Sequence, residues 1–206
     1  MKDLKSILKE CSIKEIYCDN HGAPITYVIP IYQRNYAWER DEICALIKDV
    51  HDSMDMGKTV YYIGTLVTYK RDENKYEVID GQQRLTTIYI ILRALGVQDI
   101  YSRLTYSARK ASASTIEALS GRGEKDDLGE MPDLGIKNGF DSAKAGLNEI
   151  VGLAQADVDK FKEYFLNHVH IIHYRVPKDV DLNHYFEVMN SRGEQLEKHE
   201  IVKAKL

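Results

Sequence analysis

The sequence predicts an α+β fold, because short β-rich segments and amphipathic helical segments alternate along the chain without an internal repeat. An extended segment at residues 25–30 ends at a proline, and β-rich segments at 60–69 and 76–79 flank a polar turn. A further strand is predicted at 169–176, before Pro177. Helical spacing of apolar residues occupies the segments 4–11, 38–50, 85–95, 140–154 and 157–167.

Each of these elements follows from a local pattern. Apolar side chains in residues 4–11 recur at helical spacing and predict a short amphipathic helix. Residues 38–50 carry their apolar side chains on one helical face, with acidic residues near the start, where the helix dipole favours them. Residues 60–69 and 76–79 are β-branched and aromatic, so we expect them to pair across the turn at 70–74.

The region at residues 107–139 differs in composition from the rest, because it is rich in Ser, Ala, Gly and charge. We predict a mobile helical insertion here, within a single domain spanning residues 1–206. The GRGEKDD sequence at 121–127 lacks the preceding strand and the GK[ST] ending of a phosphate loop. The chain ends at Leu206 inside a predicted amphipathic helix, so we expect an N-terminal fragment of a longer protein.

Composition excludes several classes of protein. With 206 residues and 44% hydrophobic content, the chain can bury a full core. A net charge of −4 argues against a protein that coats nucleic acid generally. The three cysteines are an odd number without CxxC spacing, which favours reduced thiols and a cytoplasmic location. No apolar run is long enough for a membrane span, and the N-terminus has no signal-peptide core.

The most informative feature is the DGQQR box at Asp80–Arg84, on a predicted strand-to-helix turn. Such a turn presents free backbone N–H groups, and Gly81 would let the backbone approach a ligand closely. Arg84 suits a phosphate or carboxylate, and Asp80 could hold a metal ion or orient water. In the alternative, Asp80 caps the helix, the two glutamines are solvated and the arginine is a surface residue.

Two further segments share this chemistry. Residues 29–38 place Gln33 and Arg34 among aromatic residues just before a helix, an arrangement that suits contact with a planar ligand. In the alternative, the aromatic residues anchor the segment in the core and Arg34 lies at the rim. Near the end of the chain, Asn190 and Arg192 adjoin a glycine turn, an arrangement suited to gripping a triphosphate. The alternative there is a plain helix–loop–helix with a glycine C-cap.

Four motifs in order, IPIYQRNYAW, YYIGTLV, DGQQRLTT and FEVMNSRGEQL, resemble the N-terminal domain of the GmrSD-type modification-dependent restriction proteins. The resemblance runs from about Ile29 to Leu206 and leaves 107–139 unmatched. It implies a ParB/sulfiredoxin-like fold, with a small mixed sheet flanked by helices. It also implies nucleoside-triphosphate hydrolysis that regulates a separate DNA-cleaving module, often of the HNH type, directed against modified or phage DNA.

The resemblance also implies roles for individual residues. Asp80, Gln83 and Arg84 are the expected catalytic residues, and Asp80 and Asn190 are the expected ligands of Mg²⁺. Either Asp80 or Gln83 would orient the attacking water, while arginines neutralise charge on the γ-phosphate. The residues expected to bind the nucleotide and its phosphates are Gln33, Arg34, Gly81, Gln82, Thr86, Asn190, Arg192 and Gly193.

Two other functions stay open at this point. The domain could be a non-hydrolysing regulatory module that binds nucleotide or DNA, or, less favoured, a direct nuclease, for which clustered carboxylates are missing. The expected partner of this domain is a nucleoside triphosphate. DNA is an expected partner through the full-length protein, which would carry a C-terminal nuclease module. No membrane partner is expected.

Histidine and basic residues offer weaker signals. His168 and His170 would share one face of a strand and His173 the other, so we favour core or surface histidines over a metal site. A set of basic residues could form a DNA-facing patch, although scattered solvated charge is the favoured interpretation. This set comprises Lys70, Arg71, Arg93, Arg103, Arg109 and Lys110.

Overall fold

A mixed sheet with helices packed against it makes up the described part of the chain, which confirms the predicted α+β class. The computed structural model describes residues 7–18, 21–98, 103–119 and 131–180. The strands in these ranges are β1 (Leu8–Ser12), β2 (Thr26–Ile29), β3 (Tyr61–Asp72), β4 (Lys75–Asp80), β5 (Leu104–Tyr106) and β6 (Val169–Val176). The helices in the same ranges are α1 (Ile13–Ile16), α2 (Arg40–Asp55), α3 (Gln82–Ala94), α4 (Lys110–Leu119), α5 (Leu134–Ile150) and α6 (Gln155–Asn167).

The strand order is β1-β6-β3-β4-β2-β5. β3 and β4 form the expected antiparallel hairpin, whose turn includes Asn74 with a positive φ of 54°. β1 is antiparallel to β6, whereas β2 lies parallel to both β4 and β5. The end of β4, where the DGQQR box begins, therefore lies inside the sheet and not at its edge.

Helix α3, which follows the box, is the central helix of the core. Of its 13 residues, 10 are buried. It packs against β3 and α5, and apolar side chains such as Leu85, Ile88 and Leu92 are fully buried. A helix buried on nearly all sides is held rigidly. The start of α3 is therefore a fixed platform for the residues around it.

One predicted segment differs from the structure, and a second can be compared with it in part. The predicted helix at residues 4–11 is wrong for its described part, because residues 8–12 form β1, with Cys11 opposite Ile171 of β6. Pairing with a distant strand outweighs the weak helical pattern. Within the predicted insertion at 107–139, α4 is helical and buries Ile116 and Leu119, and α5 begins at Leu134. The 121–127 stretch lies outside the described residues.

Side-chain hydrogen bonds join α4 to the start of α5. Ser112 Oγ donates to Asp133 Oδ2 at 2.5 Å, and the backbone N–H of Asp133 donates to Thr115 Oγ1 at 2.9 Å. Asp133 also caps α5, because its Oδ1 accepts from the N–H of Ile136 at 3.2 Å. Asp133 therefore fixes both the position of α5 and its distance from α4.

The chain divides into two units, Met1–Arg175 and Val176–Leu206. In the second unit the described residues are 176–180, where Val180 N–H donates to the carbonyl oxygen of Pro177 at 3.2 Å. The site described below lies in the first unit. No helix in the described ranges is both long and apolar enough to cross a membrane.

Among the described residues, one histidine is buried in the core. His173 is 1% exposed, and its Nε2 lies 2.8 Å from Thr68 Oγ1. Burial lowers the pKa of His173 to about 3, and the positive charges of Arg175 and Lys9 lower it further. The imidazole is therefore neutral in the folded protein at any pH above that value.

We expect His173 to make the fold acid-sensitive. The pKa of His173 is about 3 in the folded protein and about 6.5 in the unfolded chain. Between these values the unfolded chain binds a proton that the folded protein does not bind. The free energy of unfolding therefore falls as the pH drops from about 6.5 towards 3. The loss from this residue is at most roughly 1.4 kcal/mol per pH unit. Urea unfolding at several pH values should show a shallower loss in His173→Gln, which keeps an amide near Thr68 but does not titrate. The exposed His21, replaced by Gln, is the control; equal slopes in wild type and His173→Gln would contradict the assignment.

Candidate functional site

The DGQQR box forms the predicted strand-to-helix turn. Asp80 is the last residue of β4, Gly81 has a φ of 89°, and α3 begins at Gln82. A Cβ atom at Gly81 would lie 2.8 Å from the carbonyl oxygen of Thr65 in β3. Glycine is therefore required by the positive φ and by the close approach of β3. We expected that close approach to be made by a ligand, but β3 occupies this side of the glycine.

The first turn of α3 leaves backbone N–H groups without acceptors inside the helix. The first helical bond runs from Leu85 N–H to the carbonyl oxygen of Gly81 at 2.9 Å, and Gly81 provides no side-chain cap. The N–H groups of residues 82–84 therefore lie at the positive end of the helix dipole. This position favours a negatively charged group.

The two glutamines of the box are buried and hold the loop that precedes α2 against α3. Gln82 Nε2 donates to the carbonyl oxygen of Arg34 at 2.7 Å. Gln83 Nε2 donates to the carbonyl oxygen of Asn35 at 2.9 Å, and Gln83 Oε1 accepts from the N–H of Ala37 at 2.9 Å. Both atoms of the Gln83 amide are thus engaged within the protein. This geometry favours a positioning role for Gln83 over the expected orientation of water.

Other bonds attach the same loop, residues 33–38, to its surroundings. Gln33 Nε2 donates to the carbonyl oxygen of Ile79 in β4 at 2.6 Å. The hydroxyl of Tyr36, which is buried, lies 2.9 Å from Thr87 Oγ1 in α3. Gln33 therefore serves to fix the loop to the sheet, although we expected it to contact a ligand directly.

Arg109 also fixes the loop, a role that no local sequence pattern indicates. Its Nη1 donates to the carbonyl oxygen of Arg34 at 3.1 Å, and its Nη2 donates to that of Ile31 at 3.0 Å. Nη2 also donates to the carbonyl oxygen of Gln33. We expected Arg109 to be scattered solvated charge or, as the less favoured alternative, part of a DNA-facing patch, because no local pattern shows that its partners are carbonyl groups about 75 residues earlier.

A polar cavity of about 180 Å³ lies where the loop, the end of β4 and the start of α3 meet. The residues that line it include two arginines, Arg34 and Arg84, and the acidic residue Asp80. The cavity therefore combines two basic residues, one acidic residue and the start of a helix. The lining residues are Gln33, Arg34, Trp38, Asp80, Gly81, Gln82, Gln83 and Arg84.

The position of Arg84 depends on β3. Its Nη1 donates to the carbonyl oxygen of Thr65 at 2.6 Å, and its guanidinium lies over Gly64. A Cβ atom at Gly64 would be only 2.9 Å from Arg84 Nη1. Gly64 has a φ of 118°, which glycine adopts far more readily than other residues. The glycine thus opens the space in which the arginine lies beside the cavity.

Asp80 is exposed and, among the described residues, its carboxylate has no hydrogen-bond or ion-pair partner. No group of three or more His, Cys, Asp or Glu side chains suited to a metal ion occurs in the described ranges. A single free carboxylate still fits Mg²⁺ if the cavity takes phosphates, because this ion often binds through one or two carboxylates and the phosphates of the substrate. Asp80 is the described residue that could hold this ion.

The remaining expected site residues lie elsewhere. Thr86 is fully buried, and its Oγ1 lies 2.8 Å from the hydroxyl of Tyr106, so it faces the core and not the cavity. Asn190, Arg192 and Gly193 lie outside the described residues, and their roles stay predictions.

The histidines take separate positions. His168 follows the end of α6, His170 accepts or donates a 2.7 Å hydrogen bond with Glu10, and His173 is buried. The three do not form a metal-binding group in the described structure.

Several members of the basic set have structural partners. Arg71 pairs with Glu77 at 2.6 Å, and Arg93 donates to the carbonyl oxygens of Leu119 and Val97 at 2.6 and 2.5 Å. Together with Arg109, these contacts support the interpretation of dispersed charge over a continuous DNA-facing patch.

Comparison with known families gives one match. The model of the GmrSD restriction endonuclease N-terminal domain matches residues 13–206. The chain belongs to this family. Membership confirms the resemblance seen in the four motifs and indicates a role in a restriction system, which fits phage defence and implies involvement with DNA. No individual curated protein matches the chain.

We expect Gln83→Ala to destabilise this GmrSD domain by about 1–3 kcal/mol, because it removes two hydrogen bonds of a buried amide, one from the N–H of Ala37 and one to the carbonyl oxygen of Asn35, and each contributes about 0.5–1.5 kcal/mol. Urea unfolding at pH 7 would measure the change. Gln155→Ala is the matched control, since Gln155 is an exposed glutamine in the first turn of α6, and its replacement should alter stability by less than about 0.5 kcal/mol. Similar effects in both variants would refute a clamping role for Gln83.

Proposed function

We propose that this domain binds a nucleoside triphosphate in the cavity at the start of α3 and hydrolyses it, and that this reaction regulates cleavage of modified or phage DNA by a separate nuclease module. The observation that carries the proposal is that Arg34, Arg84 and Asp80 line one cavity at the start of α3, where the backbone N–H groups have no acceptor within the helix. Two guanidinium groups and a helix N-terminus suit the high negative charge of a triphosphate.

The chain's own residues suggest a division of roles. The N–H groups of residues 82–84 would hold phosphate oxygens, while Arg34 and Arg84 would neutralise charge that develops on the transferred phosphoryl group. Asp80 would hold Mg²⁺, and the chemistry that this ion supplies when bound is stabilisation of phosphate charge. The expected phosphate-binding roles of Asn190 and Arg192 stay predictions, because both residues lie outside the described part of the chain.

A second candidate function is nucleotide binding without hydrolysis. It is favoured by the engagement of the Gln83 amide with Asn35 and Ala37. Among the residues lining the cavity, this leaves Asp80 as the one carboxylate that could orient a water molecule. Phosphate release by the wild-type chain, with each of the four ribonucleoside triphosphates and Mg²⁺, decides between the two candidates.

We expect Arg84→Ala to weaken triphosphate binding by roughly 10- to 100-fold, because a charged hydrogen-bond donor is lost. Asp80→Asn should reduce turnover by at least about 100-fold while retaining more of the binding. Calorimetric titration would measure binding, and phosphate release would measure turnover. Arg71→Ala is the control, because Arg71 is exposed and lies outside the cavity. Wild-type binding and turnover in Arg84→Ala, with an unchanged fold, would refute the proposed site.

Gly64→Ala tests the same arginine without replacing it. The new Cβ atom would displace the guanidinium of Arg84, so nucleotide affinity should fall about as far as in Arg84→Ala. Gly57→Ala is the matched control, since Gly57 also has a positive φ but has no atom within 4 Å of an added Cβ. Both variants should lose roughly 1–3 kcal/mol of stability through backbone strain, but Gly57→Ala should bind nucleotide normally. Normal binding by Gly64→Ala would contradict the predicted position of Arg84.

A further inference from the structure

The polar cavity at the start of α3, proposed above to hold the triphosphate, is called the phosphate cavity below. A second cavity, of about 500 Å³, lies next to it. It lies between the start of α2, with the loop before it, and the first half of α5. Trp38 lines both cavities, so the two share one lining residue. The residues that line the second cavity are Tyr36, Ala37, Trp38, Glu39, Arg40, Gly135, Asn138, Gly139 and Ser142.

Two glycines of α5 set the width of this second cavity. A Cβ atom at Gly135 would lie 2.8 Å from the carbonyl oxygen of Tyr36, and one at Gly139 would lie 2.8 Å from Tyr36 Cε1. The helix can therefore lie this close to the loop only with glycine at both positions. Asn138, one of the three residues between these glycines, also lines the cavity.

The lining chemistry suits a planar, nitrogen-rich ring. Trp38 is half-buried and offers an aromatic face, on which a flat ring can stack. Asn138 is exposed, and its amide, which can both donate and accept, has no hydrogen-bond partner among the described residues. Ser142 lies one helical turn later on the same face of α5. By contrast, Arg40 is engaged by Glu149 at 2.7 Å.

The volumes of the two cavities indicate that they suit different parts of a nucleotide. The phosphate cavity, at about 180 Å³, is smaller than the roughly 300–1,000 Å³ typical of sites that enclose a whole organic ligand, whereas the second cavity falls within that range. A nucleotide with its phosphates in the first cavity therefore needs a further place for its base. The second cavity is lined by Trp38 as well as by Ala37, whose N–H donates to Gln83 of the DGQQR box, so the two cavities meet at the same loop.

We propose that the cavity between Trp38 and Asn138 is the nucleobase site of this domain. The base would stack against Trp38, and the Asn138 amide would hydrogen-bond to its edge and so contribute to discrimination between bases. This inference rests on the proposed function, because the triphosphate of the same nucleotide would occupy the cavity at Arg84.

The test compares nucleotides with inorganic tripolyphosphate, which has the phosphates but no base. Calorimetric titrations of the 206-residue chain, with Mg²⁺, would use tripolyphosphate and each of the four ribonucleoside triphosphates. Asn138→Ala should weaken at least one nucleotide roughly tenfold, as expected for a lost hydrogen bond in the site, while tripolyphosphate binding stays unchanged. Asn148→Ala is the matched control, since Asn148 is an exposed asparagine on α5 outside the cavity, and it should leave every affinity unchanged.

Fluorescence gives a second readout, because Trp38 is the single tryptophan of the chain. At saturation, a nucleotide should change its emission more than tripolyphosphate does. Equal responses to both ligands would overturn the base site, as would unchanged nucleotide affinities in Asn138→Ala. An equal loss of tripolyphosphate binding in this variant would also overturn it, since the effect would not depend on the base. These results leave the phosphate site standing, whereas a wild-type chain that binds neither ligand refutes the proposed function and the base site together.

Discussion

The buried amides of Gln82 and Gln83 are the interaction on which the rest of the site depends. Their partners are backbone groups of the loop before α2, and breaking one of these bonds would leave a buried polar group unpaired. The loop therefore cannot move away from α3 at low cost. Because the same loop carries Arg34 and Trp38, the geometry of both cavities follows from these amide contacts.

The DGQQR box combines two tasks in five consecutive residues. The glutamines turn inwards and fix the backbone, whereas Asp80 and Arg84 remain at the cavity, and Gly81 permits the tight turn against β3. Glutamine suits the inward positions, because a neutral amide offers both a donor and an acceptor without the cost of burying a charge. A glutamate at position 83 would lack the donor that the carbonyl oxygen of Asn35 requires.

Local patterns predicted the parts of the structure that are local. The β4–turn–α3 unit follows from a short β-rich run, a glycine and helical spacing within about 20 residues, and all three signals agree. β1 was missed because its partner strand lies about 160 residues away, and only the pairing decides between helix and strand. The roles of Gln82 and Arg109 were missed for another reason: their partners are backbone carbonyl groups, which every residue carries, so the sequence holds no signal for them.

The hydrogen bonds between Asp133 and α4 have a practical consequence for engineering the protein. They hold Ser112 and Thr115 of α4 next to Asp133, so contacts between described residues join the two helices independently of the chain that connects them. When the ends of a connection are already joined, doubling its length costs only about 0.6 kcal/mol of closure entropy. A peptide tag or a small reporter domain inserted in this connection would therefore cost the fold little, and it would leave the anchor of Arg109 on the Arg34 loop untouched.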